Sequence, residues 1–380
     1  MIRGLARAIR GIWVVLAVTC AGLIAGCGSQ QAGVTSTTSP PAVTAPLSTS
    51  LVTAQGTWAI AVMGGSAASH NNFWQLFVRP AGASRWSLVT PEGVADNGGL
   101  VAAGASTSLV VGFRPSQNLT YSPLATSTDT GKNWTPGLLD AGLADTPGAL
   151  AIGPSGRSLA VLQDGTISTA PTASAAAAGQ WTPLTTRNAL AASAPGRSCE
   201  LVGVNAVSFG PGNNPMVAGS CARPGVAGVF TDIGGTWRSA GLALAEKGPV
   251  QVLGLAGAAD GNMALLAAGT SVRAAWWNGT RWTVSDPLAA GTVRALGFGA
   301  GGSAWLLLGD GRAETIGGAG GSWQALPPAP PGTATLAQGT GGAYDALAVS
   351  GSKLTVWRLA RSAWAKVQLI TVPIEYGSSG

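Results

Sequence analysis

Charge and histidine are what this chain has least of. Only 9% of its 380 residues are Asp, Glu, Lys or Arg, and there is a single histidine, His70. One imidazole, in a chain whose cysteines are all taken up by the signal segment, lipidation or a disulfide, excludes a His/Cys metal centre. No serine sits in a Gly-x-Ser-x-Gly elbow, and the stretch His70-Asn71-Asn72 reads as a polar loop rather than as the base of a triad. Asp129 and Asp232 stand singly in turn-like sequence, without the spacing of a calcium loop. No cofactor and no metal are expected. The net charge of +6 falls to +3 once Arg3, Arg7 and Arg10 are set aside, too small and too scattered for a nucleic-acid partner. Long apolar runs are missing too. After residues 11–25 none approaches the ~20 residues of a spanning helix.

What is present begins with a targeting segment. Arg3, Arg7 and Arg10 precede an apolar run of signal-peptide length, Gly11 to Ala25. It ends in Leu23-Ile24-Ala25-Gly26-Cys27, which resembles the lipobox of bacterial lipoproteins. The resemblance implies cleavage before Cys27 and a diacylglycerol thioether on its sulfur, with palmitate among the acyl chains. More than one chain meets the requirement for stable anchoring. It also implies a place on the outer face of the cytoplasmic membrane of a bacterium. Residues 1–26 are then a signal peptide. Residues 27–50 are the lipidated cysteine and a Ser/Thr/Pro linker that has no charge and too little apolar surface to fold. Of the other cysteines, Cys20 leaves with the signal. Cys199 and Cys221 remain, an even pair in an oxidising compartment. The turn-like Gly210-Pro211-Gly212-Asn213 lies at their midpoint, so a hairpin would set them opposite each other on adjacent strands as a disulfide.

Residues 51–380 carry a period. Trp86, Trp134, Trp181, Trp237, Trp282, Trp323 and Trp364 are separated by 48, 47, 56, 45, 41 and 41 residues. About 40–50 residues is the span of a four-stranded propeller blade. Each tryptophan opens a short strand. Behind it lies a Gly-rich turn, and behind that are strands joined by hairpin signals such as Asp310-Gly311 and Gly351-Ser352. The expected fold is all-β: a seven-bladed propeller of four-stranded antiparallel blades, closed by a terminal strand that removes the open sheet edge. The offset after Trp364 favours Pro373 to Ser378 as that closing strand, with Ser50 to Ala54 as the rival.

The turns before two of the tryptophans are specific. Ser127-Thr128-Asp129-Thr130-Gly131-Lys132-Asn133-Trp134 reads S-x-D-x-G-x-x-W, and Asp232-Ile233-Gly234-Gly235-Thr236-Trp237 keeps its core. These resemble the Asp-box, or BNR repeat, of sialidases, sortilin-type receptors and photosystem-assembly propellers. In that superfamily the box is structural and lies away from the ligand face. The resemblance assigns that role here to Ser127, Asp129, Gly131 and Trp134, and to Asp232, Gly234 and Trp237. A short carboxylate can hold the backbone of its own turn while the indole packs beneath it.

Two functions follow. A sialidase-like glycoside hydrolase needs an arginine cluster, a tyrosine activated by a glutamate, and an acidic partner. The chain has only Tyr121, Tyr344 and Tyr376, and the adjacent Glu375 and Tyr376 would point to opposite faces of a strand. Phe77-Val78-Arg79-Pro80 is only loosely similar to the F-R-I-P segment of sialidases. The favoured reading is non-catalytic: a monomer tethered to the membrane by lipid, binding a protein or glycan of the cell envelope. The face carrying the loops from strand two to three and from strand four to the next blade offers His70, Asn71, Asn72, Arg114, Asn118, Arg187 and Arg197.

Overall fold

Short runs of Val, Leu, Ala and Thr broken by glycine suit pleated, half-buried strands and tight reversals. The computed structural model describes residues 41–43, 48–65, 72–91, 99–113, 124–136, 148–162, 164–258 and 261–373. Among them the strands fall into consecutive antiparallel groups of four: 48–88, 100–136, 149–186, 201–239, 250–284, 292–325 and 333–371. We number these groups one to seven. Each is an up-and-down run of strands with its first strand innermost, and groups one and six are joined into one sheet through their first strands. This is a β-propeller. Alternating strand direction puts all turns between strands one and two, and three and four, on one face. Turns between two and three, and links from four to the next group, lie on the other. A backbone hydrogen bond from Thr130 to Thr107 ties a three–four turn to a one–two turn.

The core is divided into seams, each a buried apolar cluster between neighbouring groups, and each seam receives one periodic tryptophan. Trp134 packs on the cluster that joins groups one and two, with Trp58, Leu76 and Leu100. Trp282 packs between groups four and five, Trp323 between five and six, and Trp364 between six and seven. Trp86 lies between seven and one. The period therefore marks the joints as well as the strands.

The first group is completed from the N-terminal side, by a strand that overlaps the rival segment Ser50 to Ala54; of Pro373 to Ser378, all but Pro373 lie outside the described residues. Strand Ser48–Thr53 pairs antiparallel with Gly56–Gly64, Leu51 opposite Trp58. Its other edge pairs in parallel with Thr292–Phe298, the inner strand of group six. Two residues further upstream, Ala42–Val43, continue the same parallel pairing. Part of the stretch expected as a linker is thus built into the sheet. The physical reason lies in its polar side chains. Thr49 shares a 2.7 Å hydrogen bond with Thr335 and donates to the Leu296 carbonyl, while Ser50 accepts from the Trp305 indole at 3.2 Å. A Ser/Thr-rich strand can be buried when its hydroxyls are matched this way. Among the described residues the last strand, Ala363–Thr371, pairs with Lys353–Ala360 alone.

The interval of 56 residues from Trp181 to Trp237 holds two extra helices, Arg187–Ala192 and Ala194–Cys199. Thr186 and Ser193 cap them through side-chain oxygens that accept N–H bonds from Ala189 and Gly196. The Cys199–Cys221 disulfide is present, with Cα atoms 5.4 Å apart. Cys199 closes a helix, however, rather than lying on the facing strand. Leu201 is the residue paired with Cys221. The disulfide pins the helical insertion to the cluster around Leu190 and Phe230.

Candidate functional site

The most elaborate polar arrangement lies in the seam that closes the ring. Asp345, on strand Tyr344–Ser350, is fully buried and is the hub. Its Oδ2 accepts from Arg79 at 2.5 Å and from the Trp86 indole at 2.7 Å, and both its oxygens accept from Arg358, at 2.8 and 3.1 Å. Arg79 ends strand Asn72–Pro80 of group one, and Arg358 lies on Lys353–Ala360 of group seven. The Arg79 guanidinium also sits 5.5 Å from the centre of the Trp86 ring. Gln368 completes the joint. Its side-chain amide accepts from the Trp86 N–H and donates to the Trp86 carbonyl, each at 2.8 Å.

The electrostatics are unbalanced, since two guanidinium groups share one carboxylate. Burial pushes the Arg79 pKa below its ordinary value; Asp345 opposes that shift and Arg358 adds to it. The Arg358 pKa is raised, first by its hydrogen bond to Asp345. Of the five N–H donors of Arg79, one is used on Asp345. Beside this pair opens a cavity of about 230 Å³, lined by Arg79, Arg358, Pro80, Ala83 and the glycine-rich turn Gly339-Thr340-Gly341. Gly339 allows the close approach. A Cβ there would fall 1.9 Å from an Arg79 terminal nitrogen. The cavity opens on the face of the one–two and three–four turns.

The turn before Trp134 has the expected chemistry. Asp129 Oδ1 accepts from the Asn133 amide at 2.9 Å and from the Ser127 hydroxyl at 2.8 Å. Ser127 Oγ in turn accepts from the Gly131 N–H at 2.8 Å. The backbone and side-chain bonds from Asn133, followed by that from Ser127, lower the Asp129 pKa to about 2. The second turn is built differently. Gly234 and Gly235, with φ of 63° and 82°, form a two-residue hairpin of primed type between Ile233 and Thr236. Asp232 lies in the strand opposite Trp237 and its buried Oδ1 has no hydrogen-bond partner. It does not hold its turn as Asp129 does, because a Gly-Gly hairpin needs no side-chain brace.

Of the residues offered for the opposite face, Asn72 starts its strand at the two–three turn of group one. Arg187 and Arg197 are exposed on the helices linking groups three and four. Arg187 bonds to neighbouring Asn188, and Arg197 to the Ala192 carbonyl. They share a face with Asn72, and no hydrogen bond joins them to it. Cys27, His70, Asn71, Arg114 and Asn118 lie outside the described residues. Among the described residues no group of three or more His, Cys, Asp or Glu could hold a metal ion.

Sequence reasoning missed Asp345 and Arg358, and noticed Arg79 only for a loose motif. A signal existed for Asp345, whose charge interrupts the mostly apolar strand Tyr344–Ser350 in a chain with little charge. No family model matches this chain, and no curated protein does. Solved structures do. The chain is similar to the periplasmic gluconolactonase PpgL of Pseudomonas aeruginosa, at 15% identity and TM-score 0.53, over 83% of this chain and 97% of that one. It is similar to a GH74 xyloglucanase from Xanthomonas campestris, at 14% identity and TM-score 0.55, over 83% of this chain and 52% of that one. It also matches YCF48 from Cyanidioschyzon merolae, at 14% identity over 83% of this chain and 98% of that one, with a TM-score of 0.43 that supports no argument. At these identities the likeness shows the fold alone, and the class is that of the β-propellers.

Proposed function

We propose that this is a membrane-tethered, non-catalytic binding propeller of the bacterial envelope, whose partner is a protein or glycan presented at the membrane surface. One observation carries the reading. Strand Ser48–Thr53 does not stay within its own group. It reaches past group seven to pair with the inner strand of group six, and Thr49 bonds to Thr335 on the inner strand between them. The chain's own N-terminal segment thus occupies the axial side of the ring, where an open funnel would otherwise receive a substrate. Binding then belongs to the loop faces.

The direction of that segment favours one face. It runs parallel to Thr292–Phe298, from Ala42 beside Thr292 to Leu51 beside Phe298. It therefore enters at the end carrying the four-to-one links. With Cys27 lipidated, about fourteen residues separate the lipid from Ala42. That tether holds the face of Asn72, Arg187 and Arg197 toward the bilayer. The test is photo-crosslinking in cells from Asn72 and Arg187, against Ala83 and Lys132 on the opposite face, with hydrolysis of a sialoside measured in parallel. Crosslinks to one partner from the first pair are expected. A partner captured only from the second pair, or turnover of the sialoside, would overturn the proposal.

A further inference from the structure

We propose that the cavity in the closing seam, between Arg79 and Arg358, is a binding site for a small monocarboxylate. The inference does not depend on which partner the loop faces take. It rests first on charge. Two guanidinium groups meet one carboxylate, Asp345, which lies behind the cavity wall, and no acidic residue lines the cavity among the described residues. The cluster carries one uncompensated positive charge, and a single carboxylate would neutralise it.

Geometry adds to this. The Arg79 side chain is 10% exposed, yet among the described residues only one of its donors has a protein acceptor. A planar guanidinium fork matches a carboxylate through two parallel N–H bonds. Gly339 lets the Arg79 terminal nitrogens lie against the backbone of the turn, and the adjoining Thr340 and Gly341 keep that wall free of bulk. Pro80 and Ala83 supply a small apolar wall for a short hydrocarbon tail. At about 230 Å³ the space is below the range of ~300–1,000 Å³ that holds drug-sized ligands. The occupant is therefore a small acid rather than a polymer. Burial and the neighbouring Arg358 both disfavour the charged form of Arg79. A bound anion would relieve both, and it would bridge the first and last groups of the ring.

The experiment is a melting-temperature titration of the purified protein with propionate, at constant ionic strength held by chloride. Propionamide and sulfate are the comparators. A saturable rise with propionate and none with propionamide is expected. Arg358→Gln, which removes the excess charge, should abolish the rise. Ala83→Glu, which brings a carboxylate to the cavity wall, should raise the starting melting temperature and make it insensitive to propionate. No rise up to 50 mM, about 50-fold above a millimolar affinity, would overturn the proposal. So would an equal rise with propionamide, or a rise that Ala83→Glu leaves unchanged. A larger rise with sulfate than with propionate would overturn the carboxylate assignment.

Discussion

Asp345→Asn should be the most damaging single polar substitution in the closing seam. The side chain is fully buried, and its two oxygens accept four N–H bonds, one from Arg79, one from the Trp86 indole and two from Arg358. Asparagine keeps the shape but offers one oxygen and turns an NH₂ group toward the guanidiniums. Two cations are then left facing each other in a partly buried joint without a counter-charge. Breaking a buried ion pair from one side costs about 3–5 kcal/mol. A chain of ~330 folded residues has an unfolding entropy near 0.7 kcal/mol/K, at ~2.1 cal/mol/K per residue, so the melting temperature should fall by about 4–7 °C. Arg358→Gln is the control. It removes two of the four bonds, but Arg79 and Trp86 still satisfy Asp345, and the excess positive charge disappears. Its cost should stay near 1–2 kcal/mol. The assay is thermal unfolding of both variants, with hydrogen exchange read peptide by peptide. Faster exchange in Asp345→Asn should concentrate in groups one and seven. If Arg358→Gln proved equal or worse, or Asp345→Asn melted within 1 °C of the parent, Asp345 could not be the hub of the joint.

Three further outcomes are expected. Reducing the Cys199–Cys221 disulfide, which closes a 22-residue separation, should cost ~3 kcal/mol, seen as a lower melting temperature under reductant; an unchanged value would mean that the helical insertion is held by packing alone. Asp129 has a folded pKa of about 2 against an ordinary 3.8, so its contribution is fully present above pH 4 and is lost as pH falls through 2; the gap in melting temperature between the parent and Asp129→Asn should narrow over that window, and a gap constant from pH 5 to 2 would refute the assignment. Cys27→Ala should release the protein from membranes into the soluble extracytoplasmic fraction, and persistence in the membrane would count against the lipid anchor.

The period of the tryptophans was legible because each joint in a propeller repeats the same local problem. An indole must open the outer strand and cover the apolar seam, so it recurs wherever a seam does. Strands such as Ala304–Leu308 and Ala313–Ile316 were legible for the same reason, lying where turn chemistry and alternation placed them. The closing strand was legible only in part, as the rival segment Ser50 to Ala54 and not as the favoured one. Ser48 to Thr53 is polar enough to read as linker, and its partners Leu296, Trp305 and Thr335 are far off in the chain. The seam network was hidden likewise. Arg79 and Asp345 are 266 residues apart, a separation over which no spacing rule operates.

The charge in the closing seam is best understood beside three other joints and the way they satisfy their indoles. Trp282, Trp323 and Trp364 each donate the indole N–H to a backbone carbonyl in the link that leaves the preceding group: Ala240, Asp286 and Pro327. Each acceptor lies three or four residues after the preceding periodic tryptophan, where the chain turns off its fourth strand and frees a carbonyl. In group seven the fourth strand does not turn off. It runs nine residues, Ala363–Thr371, and the corresponding position, Gln368, is still paired with Val356 in the sheet. The Trp86 indole, 2% exposed, must find another acceptor or lie buried and unpaired, as the Trp134 and Trp181 indoles do among the described residues. Asp345 supplies it. A carboxylate placed there cannot stay charged and dry alone, so it requires cations, and Arg79 and Arg358 reach it from the two groups being joined. At the seam between the last and first groups, the charged cluster thus supplies the Trp86 indole with the acceptor that a link carbonyl provides at three other joints.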